Sequence, residues 1–138
     1  GNGIRPQSLV GSETAALTSR GVEVFVPYEE PRLIIASPVP VLDTVFAVAP
    51  GGQRIAWINP GDQSLQVFER TPAQTYTPVY VKEGFRAQGM VFSDDGGSLL
   101  LSETREGGTL VVHVDLETGR TRSTTRIPIR GLLSAWIP

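Results

Sequence analysis

The 138-residue chain has no cysteine, which removes disulfide bridges, thiolate zinc sites and cysteine nucleophiles together. That absence leaves the compartment open, cytoplasmic or extracytoplasmic, because exported bacterial proteins also do without cysteine. Histidine occurs once, at His113, so a metal site or an acid–base pair around it would need carboxylate partners. Lysine also occurs once, at Lys82, and the other eleven of the twelve basic residues are arginine. No apolar run approaches the roughly 20 residues that cross a bilayer as a helix, so membrane insertion is not expected. A formal charge of −2 supplies no attraction for a phosphate backbone, which argues against nucleic acid as a partner. No targeting segment opens the sequence, as in a cytosolic protein or a form already trimmed.

Forty per cent hydrophobic residues, 15 glycines and 11 prolines describe an ordinary chain with many turns. At this length one domain is expected over residues 1–138, burying roughly 68% of the surface that its unfolded form exposes.

The most legible stretch is Gly89 to Arg122. Met90–Phe92 is apolar and β-favouring, and Ser93-Asp94-Asp95-Gly96-Gly97 follows with residues that bond their own backbone or accept positive φ. Leu99–Ser102 resumes as a strand, and Glu103 to Gly108 reads as a polar loop. Leu110, Val112 and Val114 then alternate with Val111 and His113 in the period of a strand. Leu116-Glu117-Thr118-Gly119 makes another turn. From Arg120 onward the alternation places Arg120, Arg122 and Arg126 on one side of a strand with little apolar surface, as on an outer edge.

The same order of events recurs. Val45–Val48 leads through Ala49-Pro50-Gly51-Gly52 to Arg54–Ile58, then through Asn59-Pro60-Gly61-Asp62 to Leu65–Phe68. Earlier still, Thr14–Thr18, Val22–Val26 and Leu33–Ala36 correspond to the second, third and fourth strands, while residues 1–13 show no period. Gly52 and Gly96 are 44 positions apart, Leu65 and Leu110 are 45 apart, and Val22 and Leu65 are 43 apart. The expected copies are residues 1–41, 42–86 and 87–130, with 131–138 opening another. An interval of about 40–45 residues with four strands per copy predicts an all-β chain of blade-like sheets set around an axis.

Phe92-Ser93-Asp94-Asp95-Gly96 before Leu99-Leu100-Leu101, and Val114-Asp115-Leu116-Glu117-Thr118-Gly119 after it, resemble the blade repeat of TolB-type β-propeller proteins. In that repeat F-S-P-D-G precedes an apolar strand and D-L-x-T-G follows. The Gly-His and Trp-Asp pairs of WD repeats are missing. The resemblance implies architecture and leaves function open, because propellers host binding scaffolds, lactonases and lectins alike. Rings close with about four to eight blades, so three copies are too few. Two chains giving three blades each would close a six-bladed ring, with Leu132–Ile137 of one chain finishing the first sheet of the other, where Thr14–Thr18 has no evident partner before it. Membership of a larger propeller, or an open sheet, are the alternatives.

Few residues suggest chemistry. His113 between Val112 and Val114 reads as structural, Asp94 and Asp95 as turn residues, and the Gly-Gly pairs as hairpins without the Lys-Ser/Thr of a phosphate loop. Trp57 and Trp136 suit inter-sheet packing, with sugar stacking at a ring mouth as the other reading. Arg120, Arg122 and Arg126 guard an edge or meet an anionic partner, and with Trp136 they are the binding candidates. No catalytic set converges, and neither a cofactor nor a metal is expected. The expectation is a non-enzymatic protein-interaction or scaffold module, with a protein partner or a homodimer. The alternative is a propeller hydrolase, lactonase or lectin with its site on the axis.

Overall fold

The computed structural model describes residues 6–41, 43–84, 86–105 and 108–127, and within them the side chains of 104–105 and 123–127 are not described. These residues form twelve strands and no helix. β1 (Gln7–Ser8), β2 (Thr14–Thr18), β3 (Gly21–Phe25) and β4 (Arg32–Ala36) make the first sheet. β5 (Phe46–Val48), β6 (Arg54–Ile58), β7 (Leu65–Arg70) and β8 (Tyr76–Lys82) make the second. β9 (Gly89–Phe92), β10 (Ser98–Arg105), β11 (Gly108–Asp115) and β12 (Thr121–Ile127) make the third. Each is an antiparallel meander of four neighbouring strands, as the repeat predicts. The third strands start at Gly21, Leu65 and Gly108, so the interval near 44 residues is carried from sequence into space.

The same turn closes the first hairpin of each sheet. The N–H groups of Glu13, Gly52 and Gly96 donate to the carbonyls of Val10, Ala49 and Ser93 at 3.1, 2.9 and 2.9 Å. Asp95 tightens the third of these by accepting from Ser93 Oγ at 2.7 Å and from Gly97 N–H at 2.8 Å. The turn's own donors also hold the Asp95 carboxyl below the usual range, the Ser93 hydroxyl contributing most. A regular device appears at the opposite edge as well: in all three sheets the register shift falls between the third and fourth strands. It leaves Ile34 and Val79 without an opposite partner in the first two. A bulge there adds twist to the outermost strand.

The core lies between the sheets. Ala15, Leu17, Val22, Val24 and Ile35 of the first sheet meet Ile55, Trp57 and Tyr76 of the second. Ala56, Ile58, Leu65 and Val67 of the second meet Phe92, Leu99, Leu101 and Val114 of the third. Alternate residues of β6 therefore serve two different interfaces, which is why Ile55 to Ile58 is apolar without a polar phase. Trp57 is fully buried, and its indole N–H donates to Gln66 Oε1 at 2.8 Å, so its polar edge is satisfied.

Two sequence expectations are corrected. Thr14–Thr18 does have a partner before it, because Gln7 and Ser8 pair with Ala15 and Thr14. The two-residue β1 was illegible for want of length to show a period. That edge of the first sheet is thus occupied by the chain's own strand, and Leu132–Ile137, expected to fill it, lies outside the described residues. Glu103–Gly108 is not all loop: Glu103, Thr104 and Arg105 pair with Leu110, Thr109 and Gly108, because backbone pairing extends a hairpin past the last apolar residue. The second sheet also gains a fourth strand, Tyr76–Lys82, which the sequence pattern had not marked; it contains Pro78, which an edge position tolerates.

Gly21 begins β3 at φ 135°, and a Cβ built there would lie 1.9 Å from the Ile35 carbonyl oxygen. Gly21→Ala should therefore destabilise the protein by about 2 kcal/mol or more, read as a lower urea midpoint with an unchanged slope.

Candidate functional site

Three hairpins, β3–β4, β7–β8 and β11–β12, share one end of the molecule with the turns of the β1–β2, β5–β6 and β9–β10 hairpins. Charged side chains gather at this rim and cross from sheet to sheet. The Arg70 guanidinium, with only 6% of its side chain exposed, donates to both oxygens of Glu13, at 2.8 and 3.2 Å. It also donates to the Tyr76 hydroxyl at 3.1 Å and to Gln74 Oε1 at 2.9 Å. Its carbon centre sits 5.6 Å from the centroid of the Tyr76 ring, within cation–π range. Tyr76 passes the chain of bonds on by donating to the Gly52 carbonyl at 2.6 Å, and Arg32 approaches Glu13 at 3.5 Å. A second tie joins the middle and third sheets. Arg54 donates to the Gly96 carbonyl at 2.8 Å and lies 3.5 Å from Glu69 and 3.9 Å from Glu117.

These groups are committed to one another. The hydrogen bond from Arg70 holds the Glu13 carboxyl below its usual range, and burial pushes the Tyr76 hydroxyl up. Asp62 is likewise lowered, by the Ser64 hydroxyl and N–H that it accepts at 2.6 and 3.0 Å. The arrangement is suited to locking sheets together.

Near the axis the innermost strands lie side by side, β1 next to β5 and β5 next to β9. Gln7 bridges two of them by donating to the Phe46 carbonyl at 3.2 Å and accepting from Val48 N–H at 2.9 Å. β5 and β9 are otherwise made of apolar and glycine residues, and Asp43 and Glu83 lie exposed in connecting segments. Among the described residues no three His, Cys, Asp or Glu side chains cluster as metal ligands. A small cavity lined by Arg86, Ala87, Leu101, Ser102, Glu103 and Val112 has a volume of about 10 Å³, the size of one water.

Of the sequence-nominated residues, Arg120 and Arg122 are described with their side chains. Arg120 lies in the β11–β12 turn, where its carbonyl accepts from Asp115 N–H at 2.8 Å, and Arg122 lies within the edge strand opposite His113. Both are exposed. The ladder shifts register between the Thr124 and Ile127 pairings, the stretch that carries Arg126, whose side chain lies outside the described residues. Trp136 lies outside them altogether. The Glu13–Arg70 pair was not anticipated, since residues 57 apart in different copies carry no local signal.

No family model and no curated protein matches the sequence. Solved structures do match. One is TolB from Acinetobacter baumannii, 20% identical over 79% of this chain with a TM-score of 0.53. Another is a Bacteroides fragilis protein provisionally described as a 6-phosphogluconolactonase, 16% identical over 89% of this chain with a TM-score of 0.57. A third belongs to a nidogen/laminin complex, 12% identical over 83% of this chain with a TM-score of 0.57. The three meanders are stacked face to face as in those structures. They have the fold of β-propeller blades. The chain spans 27%, 38% and 43% of the three matched structures, so its three blades correspond to part of a ring.

The lock between the first two blades gives a pH signature. Glu13 has a lower pKa folded than unfolded, so its contribution is complete above the ordinary value of 4.5 and fades as pH falls through the folded one. Glu13→Gln should cost about 2 kcal/mol at pH 7 and flatten the loss of stability below pH 4.5, measured by urea unfolding across pH.

Proposed function

We propose that the blades act as a non-enzymatic protein-interaction or scaffold module. The observation that carries this reading is where the polar chemistry is spent. The acids with lowered pKa values, Glu13, Asp62 and Asp95, are engaged by Arg70, Ser64 and Ser93 in locks and turns, and the axis-side strands β5 and β9 offer hydrophobic and glycine residues. A hydrolytic site needs a nucleophile or activated water, a base and an orienting group in reach of one another. Here the polar groups are distributed along seams and hairpins, as suits a rigid frame that presents its rim.

The partner is a protein. A second copy is one such partner, since two sets of three blades fall within the range of about four to eight at which rings close. Arg120 and Arg122, exposed on the third blade, are the contacts we assign to an anionic protein surface. Light scattering across a dilution series tests self-association: a mass twice 14.9 kDa supports ring closure by two copies, and a monodisperse monomer removes it.

A lactonase reading is favoured by one observation, the similarity to the Bacteroides fragilis structure, which spans 89% of this chain but 38% of that protein. With 6-phosphogluconolactone as substrate, hydrolysis should stay at the buffer rate. A rate rising in proportion to protein concentration would overturn the non-enzymatic assignment.

A further inference from the structure

The outer hairpin turn of each blade places one residue at positive φ: Tyr28 at 65°, Gln74 at 67° and Gly119 at 75°. They are 46 and 45 positions apart, so one site in the repeat is filled three ways. Glycine meets this requirement without steric cost. Gln74 recovers part of the cost locally, because its Oε1 accepts from Arg70. Tyr28 recovers none: it is fully exposed, at 107%, and makes no hydrogen bond with any described residue. A bulky aromatic at positive φ is an outlier, and such strain collects where a chain does something other than fold.

The surroundings say what it does. Pro27 precedes Tyr28 and Pro31 closes the segment, while the Glu29 N–H donates to the Val26 carbonyl at 3.1 Å. This is a stiff turn with proline at its second position and Tyr28 at its third, so little entropy is lost when it docks. Glu29 and Glu30 are exposed and form no ion pair among the described residues, unlike Glu13, Glu23, Glu69 and Glu117. Phe25, two residues before the turn's proline, adds a side chain 38% exposed.

We infer that the β3–β4 hairpin tip is a docking element in which Tyr28 enters an apolar pocket on a partner protein and Glu29 and Glu30 pair with Arg or Lys at the pocket's rim. The inference rests on the interaction-module reading and adds, on the first blade, a contact element separate from Arg120 and Arg122 on the third. Tyrosine is suited to this role, since its ring supplies contact area at low side-chain entropy and its hydroxyl keeps the exposed form wetted. The two carboxylates set the charge of the pocket's rim and speed docking at low salt.

The test uses the whole chain and a phage-displayed library of random peptides as the probe. Selected peptides should combine Arg or Lys with large apolar residues, and should bind Tyr28→Gly and the Glu29→Gln/Glu30→Gln double variant at least tenfold more weakly than the parent. Tyr28→Gly should keep or raise the thermal midpoint, because glycine fits the turn. A midpoint several degrees lower would make Tyr28 structural and overturn the inference. Peptides that bind parent and Tyr28→Gly equally would also overturn it while leaving the module reading intact, and failure to enrich any basic, apolar sequence would overturn it too.

Discussion

The structure depends on the middle blade burying both of its faces. Within β6, Ile55 and Trp57 belong to the interface with the first blade, and Ala56 and Ile58 to the interface with the third. A sheet with one wetted face would alternate apolar and polar residues. This strand has no residue to spare for water after Arg54, so it is stable only with a neighbour on each side. The fold is therefore cooperative across blades, and each flanking blade is stabilised through a core that it shares with the second.

Around that shared core, polar ties set the angle between blades. Gln7 spans the inner strands of the first two, Glu13 and Arg70 span their rim, and Arg54 reaches from the second to the carbonyl of Gly96 in the third. Apolar packing is tolerant of small slides, whereas a bidentate ion pair and a bridging amide have one geometry. The register shift before each outermost strand adds the twist that lets the sheets fan from a crowded axis to an open perimeter. The repeat thus specifies more than strand order: it specifies where each sheet bends.

The outer turns show how one backbone demand is met under different local conditions. Gly119 meets it by having no side chain, and Gln74 by bonding to the buried Arg70. Tyr28 projects entirely into solvent. Apolar exposure elsewhere is spread over isolated positions such as Val39, Val79 and Val81, with Pro78 and Lys82 beside the latter two discouraging edge pairing.

The all-β class, the four-stranded copy, its interval and most strand positions were legible along the chain, because a strand's period of two and the turn chemistry of Ser93-Asp94-Asp95-Gly96 act over a few residues. The sequence also assigned Asp95 and the Gly-Gly pairs to turns and Trp57 to the core. Tertiary pairing was needed to show that Gln7–Ser8 completes the first blade, that Glu103–Arg105 and Gly108 join the ladder, that Arg120 falls in the turn just before the edge strand, and that Glu13 meets Arg70. Those outcomes hinge on pairing and packing between distant segments. A two-residue strand and a salt bridge spanning 57 positions leave no periodic trace along the chain.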